Sequence, residues 1–387
     1  MKKPLIFNLL WAMVALGAFI LGGKFSSPLE SSSTSKEAST KTSSSRLSER
    51  SVALADLSSA SRKNNTRSSN SPTLSEADLL ELGQEFRRAK GPIARRLAFS
   101  EILKNLTPEN ARLLREQIAH LPQDSAEFRE FHYAWGSMAG QEAVIHGAYT
   151  PKRDMASTLA GWAATDPAAA MAYFDALSPA AQGGASHMKW GAAFGLADAD
   201  PQLAAEFAIA RFENGDKEAG KMVHIATGAA LRSGDSEEIT NFLSNIPEGE
   251  MNLQAHQHAA SELAKNDPNG TIDWALSLPE SDGKNHAIGS SFYAFASRNP
   301  EQAAEAINKI PADHQDAARY GYALRAVHDD PATGVEWAAS ITNPDARGRA
   351  LVDTGRTFYR KDPERAAAWL PTSGLSSEQQ NQITRKR

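Results

Sequence analysis

Five side chains at one recurring position offer the clearest chemistry in this chain of 387 residues. Glu206, Asn241, Asp273, Glu305 and Glu336 each stand five residues beyond the second member of a repeated dipeptide, Asp-Pro or a variant of it. Carboxylates repeated at one register position can form an acidic track that holds a basic segment or cations. Acids also populate ordinary solvated helix faces, and that is the competing reading of the same residues. Histidine points to metal less well. His256 and His258 are two residues apart, and on a helix such residues diverge by about 200°. The ten histidines show no metal-ligand spacing, so packed or solvent-facing roles are expected, with no metal and no other cofactor. Cysteine is absent, which excludes disulfides and thiolate chemistry. Gly-x-Ser-x-Gly, His-Glu-x-x-His, phosphate-loop and dinucleotide glycine patterns are absent too, so no catalytic residue is assigned.

Two further features could be read as sites. The run Arg87-Arg88-Ala89-Lys90-Gly91-Pro92-Ile93-Ala94-Arg95-Arg96 could meet a polyanion. The favoured reading is the polar face of two helices that bury Leu79, Phe86, Leu97 and Phe99. An aromatic ladder of Tyr173, Phe207, Phe242, Trp274, Trp337 and Trp369 could be a carbohydrate platform. It shares a stripe with small and aliphatic positions, so packing between helices is the expected use.

The elements that carry these residues follow from a ladder of dipeptides. Asp166-Pro167, Asp200-Pro201, Asp267-Pro268, Asn299-Pro300, Asp330-Pro331 and Asp362-Pro363 recur, with Asp235-Ser236 in the one gap. The spacings are 34, 35, 32, 32, 31 and 32 residues. Asp or Asn can cap free backbone N–H groups, and proline suits the first helical position because its missing N–H would have no partner there. Three residues past the proline the residue is mostly small, as at Ala170, Ala204, Ala303 and Ala366. Six past it stand the aromatics, and ten past it Leu177, Ile246, Leu278, Ile310 and Ile341. These offsets trace one helical face. Pro247, Pro279 and Pro311 then stop the helix, and a second apolar-periodic segment follows, as over Asn285–Ser297 and Asp316–Val327. Each unit thus reads as a helix, a proline turn and a second helix.

Upstream the pattern weakens. Thr107-Pro108 is expected to open a helix through Ile118, and Trp135 to Gly140 to end its partner. Residues 76–105 read as one more helical pair, capped by Ser75 and broken at Gly91-Pro92. At the other end a polar helix, about Ser376–Arg387, would cap the array.

The motif Asp362-Pro363-Glu364-Arg365-Ala366-Ala367-Ala368-Trp369 resembles the start of a tetratricopeptide repeat, and the unit length is similar. Where that family carries a Leu-Gly pair, this chain has an apolar residue followed by proline. The stretch Trp162-Ala163-Ala164-Thr165-Asp166-Pro167-Ala168-Ala169-Ala170-Met171-Ala172-Tyr173 is more similar to an uncharacterised class of helical repeats in bacterial envelope proteins. The resemblance covers roughly residues 107–371 and implies a solenoid that binds rather than catalyses.

The N-terminus sets the expected compartment. Lys2 and Lys3 precede an uncharged run, Pro4–Gly23. A membrane-spanning helix needs about 20 apolar residues and a cleaved signal peptide about 7–15, so an uncleaved single-pass inner-membrane anchor is favoured over a cleaved signal. Either places the body outside the cytoplasm. Residues 24–75 contain 24 Ser or Thr in 52 positions and read as a disordered tether. Removing the ten basic and four acidic residues of 1–75 from the totals of 41 and 46 leaves the body at −11. Such a balance argues against nucleic acid.

The expected fold class is therefore all-α, an α-solenoid of helix-turn-helix repeats with a period of 31–35 residues. The expected organisation is 1–23 signal-anchor or signal peptide, 24–75 linker, 76–139 degenerate repeats and 140–387 repeat array with a C-terminal capping helix. The expected function is a protein-interaction scaffold with a protein or peptide partner of basic character, held to a bacterial membrane through residues 4–23. Two alternatives stand beside it: a polysaccharide-active enzyme of helical hairpins using paired carboxylates, and a passive spacer.

Overall fold

The computed structural model describes residues 74–148, 154–183 and 187–385. The apolar run 4–23 and the Ser-rich tract as far as residue 73 lie outside the described residues. Every regular element among the described residues is helical, which makes the fold all-α. None of these helices is long and apolar enough to cross a membrane. The chain divides into two compact units, Met1–Ala226 and Thr227–Arg387.

In the first unit the described helices are α1 (Glu76–Arg88), α2 (Pro92–Lys104), α3 (Ala111–Ile118), α4 (Ala126–Ala139), α5 (Gln141–Ala148), α6 (Met155–Thr165), α7 (Pro167–Asp175), α8 (Pro179–Gly183), α9 (Met188–Ala199) and α10 (Pro201–Glu213). Helix α11 (Ala219–Ala230) runs into the second unit, which continues with α12 (Ser236–Ser244), α13 (Glu250–Leu263), α14 (Pro268–Ser277), α15 (Asp282–Ala296), α16 (Pro300–Ile307), α17 (Ala312–Asp329), α18 (Pro331–Ala339), α19 (Pro344–Lys361), α20 (Pro363–Trp369) and α21 (Ser377–Thr384).

The Asp-Pro steps are joints between consecutive helices. Asp362 donates its backbone N–H to Phe358 O at 2.8 Å, closing α19, while its side chain accepts from Arg365 N at 3.0 Å, opening α20. Asp166, Asp200, Asp267 and Asp330 do the same at their joints. One residue thus satisfies groups at two helix ends; no residue intervenes at Asp166, Asp200, Asp330 and Asp362, while Ala264–Asn266 form a turn before Asp267. Asn299 closes α15 in the same way, but its side chain makes no capping bond to α16.

The helix that ends at each Asp-Pro step packs on the helix that ends at the next one. In the first unit α4 packs on α6 and α6 on α9; in the second α13 packs on α15, α15 on α17 and α17 on α19. Glycines let these helices approach. A Cβ on Gly161 would lie 1.8 Å from the Tyr133 carbonyl oxygen, and one on Gly136 would lie 1.9 Å from that of Thr158. In the second unit a Cβ on Gly321 would lie 1.8 Å from the Gly289 oxygen. The close approach that glycine permits thus falls between successive long helices, away from the proline turn.

The helices that start at the Asp-Pro steps lie against this row. Their small positions face it: Ala170, Ala204, Ala303 and Ala366 have no exposed surface, and a Cβ on Gly334 would lie 2.5 Å from Val327 Cα. The aromatic ladder packs as well. Phe207, Phe242 and Trp274 are buried, Trp337 meets Tyr322 at 4.5 Å between ring centroids, and Trp369 meets Phe358 at 5.9 Å. The Trp274 indole N–H donates to Thr240 Oγ1 at 3.3 Å and links α14 to α12.

Two expectations need correction. The helix expected from Pro108 starts at Ala111, because Thr107 and Asn110 form a turn first: Asn110 Oδ1 accepts from Thr107 N at 2.8 Å. Leu97 is 64% exposed rather than buried. The buried stripe of α2 is Phe99 and Ile102, and a residue two places from Phe99 faces the other way. At the C-terminus Ser376 and Gln379 form a capping box, and Ile383 turns inward from an otherwise polar helix.

Candidate functional site

Asn241, Asp273, Glu305 and Glu336 all lie on the short helices of the second unit, and all four are exposed. Each precedes a position that turns inward: Phe242, Trp274, Ala306 and Trp337. One helical step of about 100° separates that position from the exposed one. Glu305 lies 3.9 Å from Lys309, whereas Asp273 and Glu336 make no ion pair among the described residues. These carboxylates are therefore open to an external cation. Glu206 differs: it sits on α10 in the first unit and is half-buried.

The long helices of the second unit present further polar groups, of which spacing drew notice only to His256 and His258. The Tyr320 hydroxyl on α17 donates to Asp353 Oδ2 on α19 at 2.6 Å, and Arg356 Nη1 holds Asp353 Oδ1 at 3.1 Å. Burial and the Asp353 charge push the Tyr320 hydroxyl well above its usual range. Burial, with Lys265 nearby, pushes His258 down from an ordinary 6.5 to about 4. Burial lowers His256 too, although its Nδ1 lies 2.9 Å from Asn252 O. His286 is lowered by burial, with His256 and Arg349 adding to the effect against Asp282. These imidazoles are neutral at pH 7. No group of three or more His, Asp or Glu side chains among the described residues is arranged to hold a metal ion.

The first unit uses charge internally. Asp154, buried at the start of α6, pairs with His132 Nε2 of α4 and with Arg115 Nη2 of α3 at 3.3 Å. His132 Nδ1 lies 2.7 Å from Phe128 O. Lys189 on α9 reaches Glu218 at 2.6 Å and Asp216 at 3.1 Å, and Arg211 also holds Asp216, at 3.1 Å. Burial alone would lower Lys189; its bonds to Glu218 and Asp216 outweigh that and raise it. Burial works to raise Asp216, but the Glu218 backbone N–H, Lys189 and Arg211 outweigh it and leave the carboxyl below its usual range. These groups bind helices to one another.

The basic run is largely satisfied within the unit. Arg95 pairs with Glu127 at 2.7 Å and Arg96 with Glu130 at 2.6 Å, both on α4, while Arg88 donates to Gln84 at 3.0 Å. What remains on α2 is apolar: Ile93 is 76% exposed, one turn from Leu97.

Compared with known protein families, with curated proteins and with solved structures, the chain matches none.

Proposed function

We propose that this chain is an α-solenoid scaffold for protein partners, tethered in or exported to the bacterial envelope. The observation that carries this reading is the set of exposed groups at one register position of successive short helices: Asn241, Asp273, Glu305 and Glu336. Stacked units turn such positions into an extended surface that no single helix could supply. Asp273 and Glu336 make no ion pair among the described residues, which suits a basic peptide or protein segment. The resemblance of the Asp-Pro units to tetratricopeptide repeats and to helical repeats of bacterial envelope proteins supports binding over catalysis. The apolar run Pro4–Gly23 behind Lys2 and Lys3 supports the anchor, and the Ser-rich tract supports a tether of about 40 Å root-mean-square span.

The test is purification of the tagged full-length chain from gently solubilised native membranes, beside the triple variant Asp273→Asn, Glu305→Gln, Glu336→Gln. A stoichiometric partner should be recovered with the first and lost or made far weaker with the second, with binding that falls as salt rises. Equal recovery with both would remove the acidic track from the partner surface.

A further inference from the structure

A cavity of about 550 Å³ opens beside α5, lined among the described residues by Arg112 of α3 and by Gln141, Glu142, Ile145 and His146 of α5. Positions 141, 142, 145 and 146 share one helical face, so one side of α5 forms most of the wall. Three features make the wall unusual for a solvated helix surface. Ile145 is a large aliphatic side chain left 42% exposed. The His146 ring packs on the buried Trp135 ring, with centroids 4.9 Å apart, and His146 Nδ1 is buried without a hydrogen-bond partner among the described residues. Arg112 Nη2 and Glu142 Oε1, both lining the cavity, form an ion pair at 2.7 Å with both side chains more than half exposed.

The combination is an apolar floor beneath adjacent charges of opposite sign. We infer that this cavity binds a free α-amino acid with a large apolar side chain. The α-carboxylate meets Arg112 and the α-ammonium meets Glu142, while the side chain covers Ile145 and the face of His146. An α-amino acid carries its two charges on neighbouring atoms, which matches a cation and an anion held side by side. The existing pair does not prevent this. An exposed ion pair is worth about 0–1 kcal/mol, so exchanging it for ligand contacts costs little. Gln141, at the start of the helix, supplies both a donor and an acceptor for the ligand's polar end. Burial, together with the Arg112 and Arg115 charges, lowers His146 and keeps the imidazole neutral at pH 7, so the floor does not compete for the carboxylate. A neutral imidazole against an indole also offers an aromatic ligand a stacking surface. This site lies in the first unit, and its occupancy does not depend on the acidic positions of the second.

Saturation-transfer NMR on the purified full-length chain in detergent tests the assignment, with L-phenylalanine, glycine and N-acetyl-phenylalaninamide as probes. L-phenylalanine should show transfer to its ring protons, and the other two little or none, because one lacks the apolar group and the other both charges. Loss of one charge-assisted contact should weaken L-phenylalanine binding roughly tenfold in Arg112→Gln and in Glu142→Gln, which change exposed side chains and leave the core intact. Ile145→Ser should weaken it too, with an unchanged thermal melt as the check on folding. No transfer to L-phenylalanine in the parent chain would overturn the assignment. So would transfer that is equal for L-phenylalanine and N-acetyl-phenylalaninamide, or that survives both charge substitutions.

Discussion

Caps and close glycines serve both units; between residues 74 and 226 two buried clusters of charge are added to them, whereas between 227 and 385 the charged link between long helices is Asp353, held by Tyr320 and Arg356. In the first unit Arg115, His132 and Asp154 bring α3, α4 and α6 together, and Lys189, Asp216 and Arg211 tie α9 to the segment after α10. In the second unit the buried polar groups include Asn252, His256, Thr271, Ser291 and Thr354, most of which bond to a backbone carbonyl on their own helix or just before it. The difference teaches where order has to be encoded. Where the Asp-Pro unit is regular, each joint is specified by a few consecutive residues. Before Asp166, where it degenerates, local caps at Ser75 and Ser125 are joined by a buried cluster whose members, Arg115, His132 and Asp154, lie far apart in sequence.

The largest effect should come from cutting the buried network. Asp154→Ala leaves Arg115 and His132 without their shared partner and should destabilise the first unit by about 3–5 kcal/mol. Hydrogen exchange resolved along the chain should place that loss in residues 74–226; equal loss in both units would break the comparison. Next comes overpacking at the helix crossings. Gly161→Ala and Gly321→Ala should each cost about 1–3 kcal/mol, one in each unit, read by denaturant unfolding. A smaller contrast separates two joints. Asp362→Ala should cost about 1 kcal/mol, while Asn299→Ala should cost clearly less, because Asn299 makes no capping bond. A thermal melt of each variant decides it.

The mildest perturbation is slight acidification. Histidines held below their ordinary value contribute stability that is present above that value and lost as pH falls toward the folded value. For His258 the window runs from 6.5 down to about 4, and His256, His286 and His328 shift in the same direction. Lowering pH from about 7 to about 6 should therefore begin to loosen the second unit, while the lowered carboxyls of Asp216 and Glu218 stay charged in the first. His146 adds a change of the same sign there. Protection factors at the two pH values measure the difference, and His258→Gln should reduce it.

What could be read from sequence was local. The caps at Asp166, Asp200, Asp235, Asp267, Asp330 and Asp362 each need only a side chain and an N–H two or three residues on. The exposure of Asn241, Asp273, Glu305 and Glu336 followed from their one-step offset from an inward position. Asp154 was not legible, because its partners Arg115 and His132 lie 39 and 22 residues away with no shared spacing. Leu97 was misplaced because two overlapping stripes run along α2, and only packing selects Phe99 and Ile102. The glycine crossings did leave a signal: Gly161 and Gly195 are 34 apart, and Gly289 and Gly321 are 32 apart, close to the unit length. The cavity beside α5 depended on Arg112 meeting a helix thirty residues further along, which no local pattern records.

Site-specific photo-crosslinking in native membranes tests the scaffold most directly. A benzophenone amino acid is placed in turn at positions 241, 273, 305 and 336, with Glu364, exposed at a different register on α20, as the control. One shared adduct from several of the four positions, absent from the control, is the expected result. Adducts that differ at every position, or none at any of them, would contradict a common partner surface along the short helices.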